Sequence, residues 1–192
     1  MKFFAIMPLP IMTLAVILAP AAFAQHQTFQ VDPTTSSVEM TLQTTHEVVQ
    51  GVFHLQPGSI EFDNSNRKMS GSLAVVAGSG KTGNDSRDKK MKNDILKVDQ
   101  YATVSFTPKI YTGTIAPSGD STIQVSGVFT LLGNPHDLMI PMQIHRNGST
   151  ATAKAQFVVP YVQWGLKNPS FMFWKAENDV TIRLSLIGRV SN

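Results

Sequence analysis

From Val38 onward the chain trades apolar for polar residues at every second position. Val38-Met40-Leu42 alternates with Glu39 and Thr41, and Val49-Gly51-Phe53-Leu55 with Gln50, Val52 and His54. Leu73-Val75-Ala77, Val104-Phe106-Pro108-Ile110 and Ile123-Val125-Gly127-Phe129-Leu131 keep the same rhythm. Leu138-Ile140-Met142-Ile144, Ala151-Ala153-Ala155-Phe157-Val159 and Val180-Ile182-Leu184-Leu186 follow, and Ile60-Phe62 is a shorter run. Side chains of an extended segment point alternately to opposite faces, so each run has one apolar and one largely polar face. The pattern predicts eight or nine β-strands.

Turn-forming clusters separate the runs: Gln56-Pro57-Gly58, Asp63-Asn64-Ser65-Asn66, Ala116-Pro117-Ser118-Gly119-Asp120 and Gly133-Asn134-Pro135. Asn147-Gly148 between two alternating runs is a two-residue hairpin signal. Strands with short connections form an antiparallel meander. Closing it into a barrel removes the sheet edges and gives the apolar faces one interior. A sandwich satisfies the alternation equally well. One segment breaks the period. Residues 85–96 place Met91, Ile95 and Leu96 at helical spacing, which predicts a short helix capped by Asn84 or Asp85.

The first residues follow another logic. Lys2 is followed by an apolar core, IMTLAVILA at residues 11–19, and then by Ala22-Phe23-Ala24. That order predicts a signal peptide over 1–24, cut after Ala24, and one exported, periplasmic domain over 25–192. An uncleaved anchor is the alternative, but the stretch is short for a span and holds Pro8, Pro10 and Pro20. The chain has no cysteine, so disulfides contribute nothing to its stability. The net charge of +3 includes Lys2 and leaves a mildly basic domain. Its densest basic run, residues 87–92, is interrupted by Asp88 and reads as a solvated helix face, so no nucleic-acid partner is expected.

Gly80-Lys81-Thr82 raises the question of a phosphate-cradling loop. The eight-residue pattern requires glycine at its first position, where this chain has Val75, and a helix directly after the threonine, where it has Gly83. The tripeptide is therefore read as a tight exit from a strand into the helix. Other chemistry is equally sparse. The histidines His26, His46, His54, His136 and His145 form no metal-ligand spacing; His46 and His54 share parity across a bend, which falls short of a coordination shell. His136-Asp137 reads as a surface turn. No G-x-S-x-G motif occurs, and no thiol is available as nucleophile. No catalytic constellation, metal or cofactor is expected.

Aromatic residues carry more information. Phe53, Phe106, Phe129 and Phe157 all fall on apolar strand faces and suit either a filled barrel or an apolar cavity. Residues 161–177, YVQWGLKNPSFMFWKAE, lack alternation and hold Trp164, Phe171, Phe173 and Trp174. Such a segment either plugs a barrel or lines its mouth, with transient contact to a membrane surface as a further option.

Several pieces then fall in a telling order. Val31-Asp32-Pro33 precedes Ser37-Val38; His46 leads to Gly51-Val52-Phe53 and Ile60-Glu61-Phe62-Asp63. Thr82-Gly83, Ser86-Arg87-Asp88 and Leu96 follow, then Tyr101 to Phe106 and Gly127-Val128-Phe129-Thr130-Leu131-Leu132-Gly133. In this order the chain resembles the YceI-like family, exported bacterial domains that bind polyisoprenoids, over residues 29–188. The resemblance implies an eight-stranded antiparallel lipocalin-like barrel with one short helix and a long apolar tunnel. It implies a non-catalytic binding or carrier protein whose partner is a polyisoprenoid lipid or prenyl quinone. The ligand-binding residues expected from it and from the strand faces are Phe53, Val75, Phe106, Phe129 and Phe157, with Trp164 and Phe171 near the mouth. Arg87 and Asp88 match a family motif and are candidates for a ligand head group; an Arg–Asp contact pinning the helix is the alternative. The competing function is a packed-barrel structural or interaction module of the cell envelope. The aromatic segment is richer than the family leads one to expect, and Pro169 restricts its path.

Overall fold

A computed structural model describes residues 26–192, and the expected signal peptide at 1–24 lies outside the described residues. Ten strands form one antiparallel sheet: β1 His26–Val31, β2 Ser37–Gln43, β3 Val48–Phe53, β4 Gly58–Asp63, β5 Met69–Val76, β6 Thr103–Gly113, β7 Gly119–Leu131, β8 Asn134–Asn147, β9 Thr150–Val159 and β10 Val180–Ser191. One edge of β10 pairs with β9 along its length. Its other edge is shared. The first half pairs with β2 from Thr181↔Thr41 to Ser185↔Ser37, and the second half with β1 from Gly188↔Val31 to Ser191↔Thr28. Since β4 pairs with β1 and β3 with β2, the ten strands occupy eight positions around a closed barrel.

Two positions are therefore broken strands, and the sequence explains the breaks. Pro33 and Pro57 have no N–H to give a ladder. Across the first break Asp32 N donates to Ile187 O at 2.8 Å, and the Ser36 hydroxyl accepts from Ile187 N at 2.9 Å in place of a backbone carbonyl. Beyond the second break, Val52 and Lys81 exchange both backbone hydrogen bonds, at 2.9 and 3.0 Å. The Gly-Lys-Thr tripeptide is thus a strand surrogate that closes the wall between β3 and β5.

The alternation places its apolar faces inward, with one exception. The β6–β7 register shifts between Pro108 and Ile110. Ile110, expected inside, is 45% exposed, and Tyr111 takes the interior place at 2%. Two hairpin turns also begin elsewhere than the reading places them. Pairing of Asn147 with Thr150 makes the turn Gly148-Ser149, and pairing of Leu131 with Asn134 makes the other Leu132-Gly133. The strand β1 was not expected at all, because only Phe29 and Val31 mark its inner face; both are buried.

The end of the barrel at the β2–β3 turn, the β7–β8 turn and the β9–β10 connection is called the upper end. The β5–β6 connection crosses it. Within that connection the helix α1, Asp85–Lys90, is capped by the Asn84 side chain, which accepts from Arg87 N, and continues into a π turn, Met91–Ile95. Ile95 and Leu96 are buried beneath it, as the helical spacing required. Asp88 anchors α1 to the wall. Its carboxylate, 5% exposed, accepts from Thr82 N at 2.8 Å and Thr82 Oγ1 at 2.7 Å, with the Lys81 ammonium at 3.7 Å. Burial opposes its ionisation, but the Thr82 hydrogen bonds and Lys81 outweigh burial and hold the carboxyl below its ordinary value of 3.8.

Two predictions follow from this packing. A Cβ at Gly127 would lie 2.7 Å from Phe106 Cζ and 2.8 Å from Pro108 Cα. Gly127→Ala should therefore cost about 1–3 kcal/mol of overpacking, read as a lower denaturation midpoint. Asp88 binds its proton more weakly folded than unfolded, so its contribution is complete above pH 3.8 and fades as pH falls through that value toward the depressed one. Asp88→Asn should lower stability at neutral pH by about 1 kcal/mol. The gap to wild type should close below pH 3.8, measured by denaturant titration at a series of pH values.

Candidate functional site: an apolar cavity in the barrel

Eight strands enclose more space than these side chains fill. A cavity of about 590 Å³ runs from the upper end down to Met69, Met142 and Leu186. Its wall is apolar, built from inward positions such as Met40, Leu55, Leu73, Phe106, Ile140 and Leu184. Apart from Ser105, the polar residues that reach it sit at the upper end: Thr44, Glu47, Thr82, Asn84, Ser86, Arg87 and Lys90. Below the floor lies a second void of about 70 Å³, whose lining shares Met69, Met142 and Leu186 with the main cavity.

Three segments make the mouth. The β2–β3 turn contributes Thr44 and Glu47, α1 contributes Arg87 and Lys90, and the β9–β10 connection contributes Pro169, Phe171 and Trp174. They are tied to one another. Arg87 Nη1 donates to Glu47 Oε1 at 2.6 Å, and its Nε and Nη2 donate to Thr82 Oγ1 and O at 2.9 and 3.1 Å. Lys90 Nζ donates to Pro169 O at 3.4 Å. Trp174 Nε1 donates to Thr44 Oγ1 at 3.1 Å, and its ring lies against His46 at 4.9 Å. The base of the connection is fixed by Tyr161, whose hydroxyl donates to Glu177 O at 2.6 Å. Burial, with a smaller contribution from Asp179, pushes that phenol up to about 12, so it stays a donor across the ordinary pH range.

The sequence candidates divide. Phe53, Val75, Phe106, Phe129 and Phe157 stand on the cavity wall, and Phe171 and Arg87 stand at its mouth. Trp164 and Asp88 are not among the wall residues. Trp164 stacks flat on His136, with centroids 4.2 Å apart and planes at 7°, and packs on Phe129 at 5.6 Å. It closes the corner above β7 and β8. Asp88 is spent on Thr82, and Arg87 pairs with Glu47 rather than with Asp88.

His136 corrects the surface-turn reading. It is the third residue of β8, in register with Phe129, and its Nε2 is buried without a hydrogen-bond partner. His46 and His54 lie beyond opposite ends of β3 and are both exposed. Among the described residues no three His, Asp or Glu side chains are placed to share a metal ion. Sequence reasoning overlooked Glu47 and Lys90 at the mouth, while Tyr161 and Trp174 lay in the aromatic segment read as plug or mouth lining without being singled out. Met40, Leu42, Met142 and Leu184 were on its apolar faces but not singled out. Parity could have found those four; nothing in the local pattern marks Glu47 or Lys90.

With this geometry in view, the likenesses to known proteins fall into place. No curated protein matches the chain. BcnA of Burkholderia cenocepacia superposes with a TM-score of 0.66 at 18% identity, covering 84% of this chain and 99% of that one. A polyisoprenoid binding domain from Saccharophagus degradans, implicated in plant cell wall breakdown, gives 0.68 at 15% identity, covering 85% and 98%. The YCEI protein of Campylobacter jejuni gives 0.59 at 17%, covering 75% and 86%. At these identities the likenesses establish the fold alone. The family model of the YceI-like domain matches residues 29–187, and the chain belongs to the YceI-like family.

Proposed function

We propose that this protein is a non-catalytic carrier that holds one long prenyl-chain lipid, a polyisoprenoid or prenyl quinone, inside its barrel. One observation carries the reading: a cavity of about 590 Å³, apolar along its depth but for Ser105 and otherwise polar only near its mouth. That volume lies within the ~300–1,000 Å³ usual for small-molecule sites. A prenyl tail matches it, because removing apolar surface from water stabilises by ~25 cal/mol per Å² without any need for polar partners. The polyisoprenoid binding domain from Saccharophagus degradans, with the same fold, points in the same direction. The sequence at residues 1–24 supports export to the periplasm, where such a carrier would shuttle its load.

In this reading Phe53, Val75, Phe106, Phe129 and Phe157 contact the tail, and Phe171 flanks the entry. Arg87 is the nearest guanidinium to a head group, but its charge is already matched by Glu47 at 2.6 Å. An uncharged polar head therefore suits the mouth better than a phosphate. Asp88 and Trp164 act at one remove, by holding α1 and the upper corner. The packed-module alternative requires a filled interior, and the open cavity weighs against it.

Native mass spectrometry of protein purified without detergent tests the reading. The expected result is a stoichiometric adduct, identified as a prenyl lipid after organic extraction. An empty protein that also fails to take up an added prenyl quinone overturns it. Two variants sharpen the test. Phe106→Asp places a charge on the apolar wall and should abolish the adduct. Val104→Phe, at a partly buried position on the wall, adds apolar volume inside the cavity and should lower occupancy at least about tenfold while the fold, followed by circular dichroism, persists.

A further inference from the structure

Among the described residues the three most exposed large apolar side chains, Phe171, Met172 and Phe173, are consecutive, and Trp174 follows them. Phe171, Met172, Phe173 and Trp174 are 67%, 73%, 89% and 46% exposed. They form a minute hairpin: Phe171 and Trp174 exchange both backbone hydrogen bonds at 2.9 Å, and Met172 and Phe173 form the tip. Met172 takes a positive φ of 50°, which an unbranched side chain accepts more readily than a β-branched one. The hairpin is braced. Trp174 bonds Thr44 and packs at a tilt against His46, Lys175 N donates to Thr45 Oγ1 at 3.2 Å, and Thr45 N donates to Lys175 O at 2.9 Å. A braced, bare apolar tip costs free energy in water and calls for an apolar partner.

Size and position choose the partner. The four side chains offer on the order of 500 Å² of exposed surface, short of the ~800 Å² per partner of a standard protein interface. The tip is a narrow, exposed four-residue turn, and Trp and Phe suit the boundary between head groups and acyl chains. Phe171 and Trp174 also line the cavity mouth. Apolar surface therefore continues from the tip into the barrel, and a tip buried in a bilayer would join hydrocarbon to cavity.

We propose that the Phe171–Trp174 hairpin is a docking tip that seats the barrel's mouth on a lipid bilayer. Its purpose rests on the prenyl-carrier reading; its test does not. Charge plays a secondary part, since the mouth carries both signs: Arg87 is matched by Glu47, and Lys175 is followed by Glu177. Neutral vesicles are therefore a sufficient surface.

The test is co-sedimentation with vesicles of pure phosphatidylcholine, repeated with an equimolar mixture of phosphatidylcholine and phosphatidylglycerol. Wild type sediments with both. Phe173→Asp lowers the bound fraction about tenfold, and Phe173→Trp restores it. Met139→Asp, at a 61% exposed position on the outer face of β8, leaves it unchanged. Brominated phosphatidylcholine quenches tryptophan fluorescence in wild type but not in Trp174→Phe. Phe173→Asp keeps its capacity for a prenyl quinone in detergent-free solution, because Phe173 does not line the cavity. Failure of wild type to sediment, or undiminished sedimentation of Phe173→Asp, overturns the proposal. So does binding confined to phosphatidylglycerol, or a solution dimer that Phe173→Asp dissolves. Vesicle binding by a protein that takes up no prenyl quinone sustains the tip and overturns the carrier reading. The reverse pair of results overturns the tip alone.

Discussion

The pairing of β10 along both its edges makes the rest possible. Without the β1 and β2 contacts on its second edge, the sheet would be an open ribbon with one apolar face in water. Closure converts that face into an interior. It also sets the width, because eight strands leave room for side chains or for one slender ligand. Here the lower part is filled by residues such as Phe29, Phe62, Tyr111 and Ile123, and the upper part is left open. The cavity is thus a consequence of strand number and of where the large side chains stop.

Much of this was legible in the alternation. Runs such as 123–131 and 151–159 have their inner faces where parity places them, because a residue's side in a strand follows from counting. Counting fails where the backbone inserts a residue. The irregularity at Lys109 sends Ile110 outward and Tyr111 inward, and no property of those side chains announces it. It fails also where a strand is too short to establish a rhythm, as in β1. His136 was misplaced for a related reason: Gly133-Asn134-Pro135 reads as turn chemistry, yet Asn134 and Pro135 already belong to β8.

The mouth was the least legible part. Its residues come from three separate connections and meet only after the barrel has closed. Glu47 reaches Arg87 across 40 positions of sequence, and Trp174 reaches Thr44 across 130. Residues 161–177 carry no period because they run across the end of the barrel rather than along its wall. Their aromatic content was a sound signal of an unusual place. It could not distribute the roles, with Trp164 on His136, Phe171 at the opening and Phe173 in solvent.

The floor of the cavity is made by Met69, Met142 and Leu186, and a smaller void lies beneath it. Two of these three side chains are methionines, unbranched and able to change rotamer at little cost. The barrel's usable depth is therefore not fixed by its strands. That depth is set by side chains, and turning two thioethers aside would join the lower void to the cavity above it.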